Sequence, residues 1–548
     1  MPANTSPALP SVSSQALTTT PDACYQVLQT RDARFDGRFY IGVTSTGIYC
    51  RPVCKVRVPK RENCRFFDHA AQAESAGFRP CLRCRPELAP QNLFAPQGLP
   101  GTPSHTKRST ENRAQTQAQN QPDSLPWSIQ DASSTLGLQA ARLLDEPDAW
   151  GTDTPSAAKL AARLGVSDRH LRRIFEAQFG VSPLQYLQTR RLLTAKQLLT
   201  DTQLPVTEIV HLAGFASLRR FNAAFVGNYR LSPSRLRKAG AEKPNLTSPA
   251  TTRVHLSFRT PYDSHSMLQF LKQRSLNGLD FVDLEAACTG RTLAVTANGQ
   301  DHHGWLTARF LPGQTRVEIQ LSDGLRGVLP LVLRRVRHWL DLDAEPTAIH
   351  ARLQSHFPNG AGLRVPGSLD GFELAVRAIL GQQITVAAAR TLAQRLLQRF
   401  GTPVETPFNT AGQSLTHVFP SAQVLVLAGG DALGQLGIVK TRQAAIVALA
   451  TEVAAGRIAL HAGADVPATM AALKALSGFG DWTANYIAMR CLRWPDAFVA
   501  GDVALHKALG LDRTQSPAKL AKEAEARSQV WRPWRSYAVL RAWATLAG

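Results

Sequence analysis

The chain of 548 residues carries 62 lysine and arginine residues against 41 aspartate and glutamate residues, a net charge of +21. That length is too great for one hydrophobic core, so we expect several domains. The positive charge favours nucleic acid as the partner, ahead of an anionic membrane surface. The sequence lacks the run of about eighteen apolar residues that would span a membrane. Its polar N-terminus lacks a secretion signal, so we expect a cytoplasmic protein.

Two stretches divide the chain by their composition. Residues 1–21 are rich in Ser, Thr, Pro and Ala and are predicted to be disordered. Residues 89–134 are rich in Gln, Pro, Ser and Thr with few apolar side chains, which predicts a flexible linker. A second, shorter linker ends at residue 250. Such linkers predict weak coupling between the halves of the molecule.

Residues 22–88 form a compact block that is marked by two close pairs of cysteines: Cys50 with Cys54, and Cys81 with Cys84. In a reducing compartment such pairs favour a metal over disulfides. Four thiolates suit tetrahedral zinc, at about 2.3 Å from each sulfur. Zinc would also stabilise a small α+β domain, so a purely structural metal is the alternative to a reactive one. Cys24 and Cys64 lie outside this pattern and are interpreted as ordinary core residues.

The segments "FYIGVTSTGIYCRPVCKVRVPKRENCRFF" and "AGFRPCLRCRPE" resemble the N-terminal domain of the Ada family, which senses methyl phosphotriesters in DNA. The resemblance implies that Cys50 is both a zinc ligand and the nucleophile that accepts a methyl group. It makes Cys54, Cys81 and Cys84 the remaining ligands. It also places Thr46 and Arg57 near the DNA backbone. Methylation would remove one negative charge from the site and so favour DNA binding.

Residues 135–240 have apolar spacing of three and four, which predicts an all-α block. "KLAARLGVSDRHLRRIFE" fits a helix-turn-helix, with Gly165 at the turn and Ser167 as the cap of the second helix. A second unit follows, with Gly214 at its turn. The residues that we predict to contact DNA are Arg169, His170, Arg172 and Arg173 in the first unit and Arg219, Arg220 and Asn222 in the second.

The two units, joined by one long helix and closed by "YRLSPSRLR", resemble the AraC-type DNA-binding domain. That resemblance implies two recognition helices in successive segments of the major groove, and hence sequence-specific binding to promoter DNA. It also implies RNA polymerase as a partner.

Residues 251–342 mix strand-like segments ("RVHLSF", "RTLAVTA", "TRVEIQL") with the helical "GVLPLVLRRVRHWL", which predicts a small α+β domain. Residues 343–548 return to helices. There, "LKALSGFGDWTANYIAMR" predicts a helix-hairpin-helix with Gly478 and Gly480 in its turn, directing N–H groups at a DNA phosphate. Asp502 follows, just before another helix. A lone Asp at such a position is more often a helix cap.

The hairpin, the downstream Asp and the flanking segments "FELAVRAILGQQITVAAA" and "VWRPWRSYAVLRAWA" resemble the helix-hairpin-helix DNA glycosylases of the AlkA type. These enzymes excise alkylated bases such as 3-methyladenine from flipped-out nucleotides. The resemblance makes Asp502 the catalytic carboxylate and Trp482, Tyr486 and Trp543 the aromatic pocket. Gln383 stands where the family has a leucine that fills the gap left by the flipped base. Backbone carbonyls of the hairpin would hold a monovalent cation.

Three departures from these families limit the chemistry. Lyase members of the glycosylase superfamily carry a Lys in the hairpin, whereas Trp482 occupies that position here and predicts a monofunctional enzyme. The residue after Trp543 is Ala544 rather than an aromatic, which predicts a roomier pocket. The "PCHR" motif of the second Ada methyltransferase domain is absent from the sequence.

We therefore predict one polypeptide that accepts a methyl group on zinc-bound sulfur, activates transcription and excises alkylated bases from double-stranded DNA. One alternative is a regulator whose glycosylase-like half binds DNA without catalysis. Another is a repair enzyme whose helix-turn-helix units add only non-specific affinity.

Overall fold

The computed structural model describes residues 20–91, 129–150, 153, 155–240, 251–297, 299–406, 409–410, 413–512 and 514–546. Most of the predicted N-terminal disorder and most of the predicted linker lie outside these residues. The first described helix begins at Pro21, and the helix that follows the linker begins at Ile129, before residue 134. In the described part of the chain, no helix is both long enough and apolar enough to cross a membrane.

The cysteine block is an α+β domain, as predicted. Its helices and strands are α1 (Pro21–Thr30), β1 (Tyr40–Val43), β2 (Ile48–Cys50), β3 (Cys64–Phe67), α2 (Ala70–Ser75) and β4 (Arg79–Pro80). The strands form a sheet in the order β3-β1-β2-β4, in which β2 and β4 run parallel. Cys24 and Cys64 pack in an apolar cluster with Phe39 and Ile41, which agrees with their interpretation as core residues.

The second block is all helical in the residues described. Its helices are α3 (Ile129–Asp145), α4 (Ala157–Arg163), α5 (Asp168–Phe179), α6 (Pro183–Asp201), α7 (Val206–Leu212), α8 (Leu218–Tyr229) and α9 (Pro233–Gly240). Ser167 caps α5 by accepting a hydrogen bond from the backbone N–H of His170 at 3.3 Å. Gly165 and Gly214 have φ of +66° and +81°, so both turns use the left-handed conformation that glycine allows. The double helix-turn-helix is thereby confirmed.

The third block is the predicted small α+β domain. It contains β5 (Thr251–Ser257), α10 (Ser264–Arg274), β6 (Asp280–Asp283), β7 (Cys288–Ala297), β8 (Gln300–Phe310), β9 (Arg316–Ser322) and α11 (Leu329–Trp339). The antiparallel sheet has the order β5-β9-β8-β7-β6. The sequence analysis identified β5, β7 and β9 but not β6 or β8. The polar start of β8, "QDHH", hid its strand character.

The last block consists mainly of helices around one large apolar cluster. They are α12 (Pro346–Leu353), α13 (Gly371–Leu380), α14 (Val386–Phe400), α15 (Ala422–Gly434, interrupted at Gly429), α16 (Lys440–Ala454), α17 (Val466–Ala475), α18 (Asp481–Arg490), α19 (Val503–Ala508), α20 (Pro517–Ser528) and α21 (Arg535–Ala544). Two short ribbons pair β10 (Thr402–Pro403) with β13 (His417–Val418), and β11 (Asn409–Thr410) with β12 (Gln413–Ser414).

The four blocks are packed against one another through buried polar contacts. The fully buried guanidinium group of Arg259, just after β5, donates to the carbonyls of Asp36 at 2.8 Å, Pro90 at 3.2 Å and Asp343 at 2.8 Å. Arg259 also pairs with Glu345 at 3.1 Å. This one side chain therefore joins the cysteine domain to the α+β domain and to the start of the last block.

The helix-turn-helix domain makes similar contacts on both sides. Arg85 of the cysteine domain pairs with Asp201 of α6 at 2.6 Å. At the other side, Glu146 accepts from Arg334 of α11 at 2.9 Å and lies 3.0 Å from His338. Burial would raise the pKa of Glu146, but these two neighbours outweigh it and lower the pKa to about 2. The linkers therefore do not keep the domains apart.

Candidate functional site

The four cysteines predicted to bind zinc lie together. The sulfur atoms of Cys50, Cys54, Cys81 and Cys84 are all within 4.8 Å of one another. Tetrahedral zinc with bonds of about 2.3 Å separates its ligand atoms by about 3.8 Å, so the cluster fits one ion. The sheet explains the convergence: Cys50 ends β2, and the N–H of Cys81, just after the parallel strand β4, donates to the carbonyl of Tyr49 at 2.9 Å.

Arg51 supports this cluster from the buried side. Its backbone N–H donates to the Cys84 sulfur at 3.3 Å, and its guanidinium group donates to the Cys84 carbonyl at 3.0 Å. The same guanidinium group pairs with the buried carboxylate of Asp36. Because Asp36 shares this guanidinium group, Arg51 offsets only part of the net negative charge of a tetrathiolate zinc site. Arg85, which follows Cys84 directly in the sequence, pairs with Glu87 and Asp201 rather than with the thiols.

The residues predicted to contact DNA lie at the surface of their domains. Thr46 and Arg57 are exposed on the cysteine domain. In the first helix-turn-helix unit, Arg172 pairs with Asp168 at 2.9 Å, and Arg173 lies 3.0 Å from the ring of His170. Arg169 is exposed beside them, as are Arg219, Arg220 and Asn222 on α8. All of them are accessible to DNA, and their individual contacts stay predictions.

Asp502 lies at the N-terminus of α19 and has two sets of partners. As the cap of α19, its Oδ1 accepts from the backbone N–H of Leu505 at 2.7 Å. The same oxygen accepts from Trp543 Nε1 at 2.9 Å, and Oδ2 accepts from Trp482 Nε1 at 2.9 Å. The alternative interpretation of Asp502 as a helix cap is therefore true, but it leaves out the two indole groups that also hold this carboxylate.

The aromatic residues of the predicted pocket lie around this carboxylate. The rings of Trp482 and Tyr486 stack with their centroids 5.0 Å apart and their planes 12° from parallel. Both belong to α18, four residues apart and hence on one face of the helix. Trp543 comes from α21, and Ala544 after it is exposed. The three aromatic residues are joined through Asp502 and this stack.

A group of arginines surrounds the hydroxyl of Tyr486. Arg490 donates to this hydroxyl at 2.5 Å. Burial would raise the pKa of Tyr486, but the nearby guanidinium groups of Arg490 and Arg274 lower it below its usual value. Arg490 also lies 4.8 Å from the centroid of the Phe270 ring, which belongs to α10 of the preceding domain. The sequence analysis missed Phe270, because its contact with Arg490 joins two segments that lie far apart in the sequence.

The loop between α13 and α14 carries Gln383, which is exposed and has φ of +58°. Its neighbour Gln382, which the sequence analysis did not select, donates from Nε2 to the Gly478 carbonyl and to Thr483 Oγ1, both at 2.9 Å. Gln382 therefore fixes the loop against the hairpin. Gln383 lies in the middle of this loop, and its role in filling the gap left by the flipped base stays a prediction.

The two glycines of the hairpin turn differ in how closely they are surrounded. Gly478 has φ of +88°, and a Cβ there would lie 3.0 Å from the side chain of Ala445, so glycine is required. A Cβ at Gly480 would meet only open space. Gly480 precedes the first residue of α18, so its open surroundings leave the N-terminus of that helix accessible to a phosphate. The cation that the family implies, held by carbonyls of Lys474, Leu476 and Phe479, stays a prediction.

Comparisons with known families follow this division into domains. Family models match the metal binding domain of Ada at residues 23–87, a helix-turn-helix domain at 160–239 and the AlkA N-terminal domain at 253–370. A model of the HhH-GPD superfamily of base excision DNA repair proteins matches residues 376–534. A probable bifunctional transcriptional activator/DNA repair enzyme AlkA of Mycobacterium tuberculosis is 34% identical over 537 residues, which are 96% of each chain.

The chain belongs to the AlkA family of bifunctional transcriptional activators and DNA repair enzymes. Two relatives from Escherichia coli match its separate halves. DNA-3-methyladenine glycosylase 2 is 33% identical over 291 residues, 53% of this chain and 96% of that one. The bifunctional activator and repair enzyme Ada is 32% identical over 197 residues, 36% of this chain and 43% of that one.

This bifunctional AlkA family member therefore combines the parts that the sequence predicted. It has a zinc site formed by four cysteines, a helix-turn-helix domain and a base-excision glycosylase domain, and double-stranded DNA is its partner. The resemblances to Ada sensors and to AlkA-type glycosylases are confirmed.

Proposed function

We propose that this protein senses methylated DNA backbone through Cys50, activates transcription at promoters bound by its helix-turn-helix units, and excises alkylated bases such as 3-methyladenine through Asp502. The main observation in support of the repair activity is that the Asp502 carboxylate accepts hydrogen bonds from the indole N–H groups of Trp482 and Trp543. The name of the Escherichia coli relative of the second half, a DNA-3-methyladenine glycosylase, supports the same substrate class.

Excision begins with a base alkylated on a ring nitrogen, which carries a positive charge. Flipping brings that base out of the stack, at a cost of a few kcal/mol that is smaller for damaged bases. The electron-rich faces of Trp482, Tyr486 and Trp543 favour a cationic ring by stacking and cation–π contact. These interactions weaken once the base leaves as a neutral molecule, which also favours its release.

Bond cleavage places positive charge on the sugar. The bond from C1′ to the base nitrogen breaks, and its electron pair leaves with the base. The Asp502 carboxylate then stabilises the oxocarbenium character at C1′. Water adds to C1′ and gives its proton to the carboxylate. The product is an abasic site. Trp482 stands in the hairpin where a lyase would have an amine, so this chemistry stops at hydrolysis.

The sensing step uses Cys50. Zinc, when bound, holds the sulfur as thiolate at neutral pH. The Cys50 sulfur attacks the methyl carbon of a phosphotriester; the S–C bond forms while the C–O bond breaks, and its electron pair stays on the phosphate oxygen. Arg51 lies beside the thiol cluster, and Arg57 is exposed on the same domain. Loss of one negative charge from the site then reduces its repulsion from DNA and raises promoter affinity.

The deciding experiment for repair compares wild type with Asp502→Asn on DNA that carries methylated bases, by chromatography of the released bases. We expect wild type to release 3-methyladenine and the variant to be slower by a factor of 100 or more, roughly the loss of one electrostatic stabiliser. Borohydride should trap no covalent complex of wild type with abasic DNA. Failure of wild type to release any base would instead support a regulator whose second half only binds DNA.

A further inference from the structure

We propose that Trp482 and Trp543 are positioning residues for Asp502 in addition to being pocket walls, and that they leave a single acceptor position on Oδ2 for the attacking water. This inference deepens the function proposed above and rests on it. The observation behind this inference is that both indole N–H groups donate to the carboxylate. A role as aromatic pocket walls alone would not require those hydrogen bonds.

The carboxylate is held from three different elements. The N–H of Leu505 comes from α19, that of Trp482 from α18 and that of Trp543 from α21, at distances of 2.7, 2.9 and 2.9 Å. Rotation of the carboxylate about its Cβ–Cγ bond would break all three hydrogen bonds at once. The group is therefore fixed before the substrate arrives, which is the condition for electrostatic stabilisation without reorganisation.

The two oxygens of Asp502 are not equivalent. An ionised carboxylate has about four acceptor positions, two on each oxygen. Among the described residues, Oδ1 accepts from both Leu505 and Trp543, whereas Oδ2 accepts from Trp482 alone. The position that stays open is therefore on Oδ2. Water that attacks C1′ would bind there and give its proton to that oxygen.

The nature of the donors also matters. An indole N–H is a neutral donor, so it orients the carboxylate without cancelling its charge. A guanidinium or ammonium group in the same place would neutralise the field that has to stabilise the sugar cation. The structure contains the contrasting case: Asp496 in the same domain is held by the guanidinium group of Arg535 at 2.9 Å. There a buried carboxylate serves an ion pair, whereas at Asp502 its charge stays available.

The test replaces each indole by a ring that lacks the N–H. Trp482→Phe and Trp543→Phe retain an aromatic face but cannot donate to Asp502. We expect each to lower the single-turnover rate constant of base release by about 10- to 100-fold, the effect of one hydrogen bond to a charged group. Affinity for DNA containing an uncleavable abasic analogue should change by less than about threefold, because binding uses the ring faces and the hairpin.

Trp531→Phe is the matched control. Trp531 is buried in the same domain, and its Nε1 has no hydrogen-bond partner among the described residues. The same substitution there should leave the rate constant unchanged, which separates loss of an N–H donor from loss of ring size. Thermal unfolding of all three variants identifies any that fail to fold.

A second pair, Trp482→Leu and Trp543→Leu, removes both the ring and the N–H. If positioning dominates the rate constant, each Phe variant should lose nearly as much rate as its Leu counterpart, while only the Leu variants lose affinity. The inference is overturned if the Phe variants keep their rate within about threefold of wild type, or lose affinity and rate together. If Asp502→Asn excised bases as fast as wild type, the proposed function itself would be overturned. That result is distinguishable from the failure of the positioning role, which is seen only in the Phe variants.

Discussion

The thiol cluster and the Asp502 site each hold negative charge in place, but they do so with different neighbours. Beside the thiols lies the guanidinium group of Arg51, which donates to the Cys84 carbonyl and also pairs with Asp36. Asp502 accepts from two indole groups and one backbone N–H, all neutral. A site that binds a metal can accept positive neighbours because its excess charge has to be offset. A site that stabilises a developing cation keeps its charge by using dipoles instead.

The two sites also differ in how they are assembled. The four thiols lie within residues 50–84 and one domain, and the pairing of β2 with β4 brings them together. The Asp502 site draws on α18, α19 and α21, and its surroundings extend to Phe270 of another domain. We therefore expect single substitutions at the first site to abolish one activity outright and to leave the second site intact.

The largest expected effect is that of Cys50→Ala. Methyl transfer from phosphotriester DNA, measured with a radiolabelled methyl group, should be lost completely, because the attacking sulfur is gone. Base release should stay within about twofold of wild type, because Cys50 and Asp502 lie in different domains. Cys64→Ala is the control, since Cys64 is buried in the same domain but outside the cluster. A large fall in base release by Cys50→Ala would mean that the two sites are not separate.

Arg259→Ala tests the connection between the two regions. Arg259 is fully buried and donates to carbonyls of both the cysteine domain and the segment before α12. Its loss leaves those groups unpaired, so the free energy of unfolding by urea should fall by about 3–5 kcal/mol. Arg253→Ala, which removes a half-exposed partner of Glu318 from the preceding strand β5, should change this free energy by less than about 1 kcal/mol. Equal effects of both variants would contradict the role given to Arg259.

A pH effect is expected where the cysteine domain meets the helix-turn-helix domain. Glu74 accepts from Tyr49 at 3.0 Å and from Thr189 at 2.9 Å. Burial raises the pKa of Glu74 to about 7, and these hydrogen bonds and the charge of Lys196 oppose it only in part. The folded state therefore binds a proton that the unfolded state releases above about pH 4.5. Stability from this group is full at low pH and is lost as the pH rises to 7.

Glu74→Gln removes that titration. The slope of unfolding free energy against pH between about 4.5 and 7 should become smaller, and the variant should be more stable than wild type at pH 8 by about 2–3 kcal/mol. Urea unfolding at several pH values measures both quantities. An unchanged slope would show that Glu74 keeps its charge in the folded protein.

The smallest expected effect is that of Gln383→Leu. Gln383 is exposed in the loop between α13 and α14, so unfolding free energy should change by less than about 0.5 kcal/mol. An apolar side chain inserts between bases at less cost than an amide, so the rate constant of base release should rise about threefold. Gln383→Ala is the comparison, because it shortens the side chain without offering a wedge. A slower Gln383→Leu would mean that the amide itself contacts the opposite strand.

Sequence alone predicted the parts whose signal is local. The four thiols, the glycine turns at Gly165 and Gly214 and the cap at Ser167 each lie within a short segment whose residue types have a direct physical meaning. Resemblance to a family added Asp502, Trp482, Tyr486 and Trp543. The structure brings these four together around one carboxylate.

What the sequence could not provide were contacts between distant segments. Nothing near Trp482 or Trp543 indicates that both N–H groups reach Asp502, because that depends on how α18, α19 and α21 pack. Phe270 and Gln382 were missed for the same reason. The linkers suggested loosely joined domains, but the structure joins them through buried contacts such as those of Arg259. In the sequence, nothing distinguishes Arg259 from an exposed basic residue.

The position of Arg259 bears on how the molecule is made. A ribosome completes the cysteine domain before it reaches residue 259, and the segment that fills the rest of this contact, residues 343–345, comes later still. Until residue 259 has been made, the carbonyls of Asp36 and Pro90 lack the donor that they have in the folded protein. A nascent chain therefore reaches its final packing only after more than half of its length has been translated. A product that ends before residue 259 would leave exposed the face of the cysteine domain that Arg259 covers in the full chain.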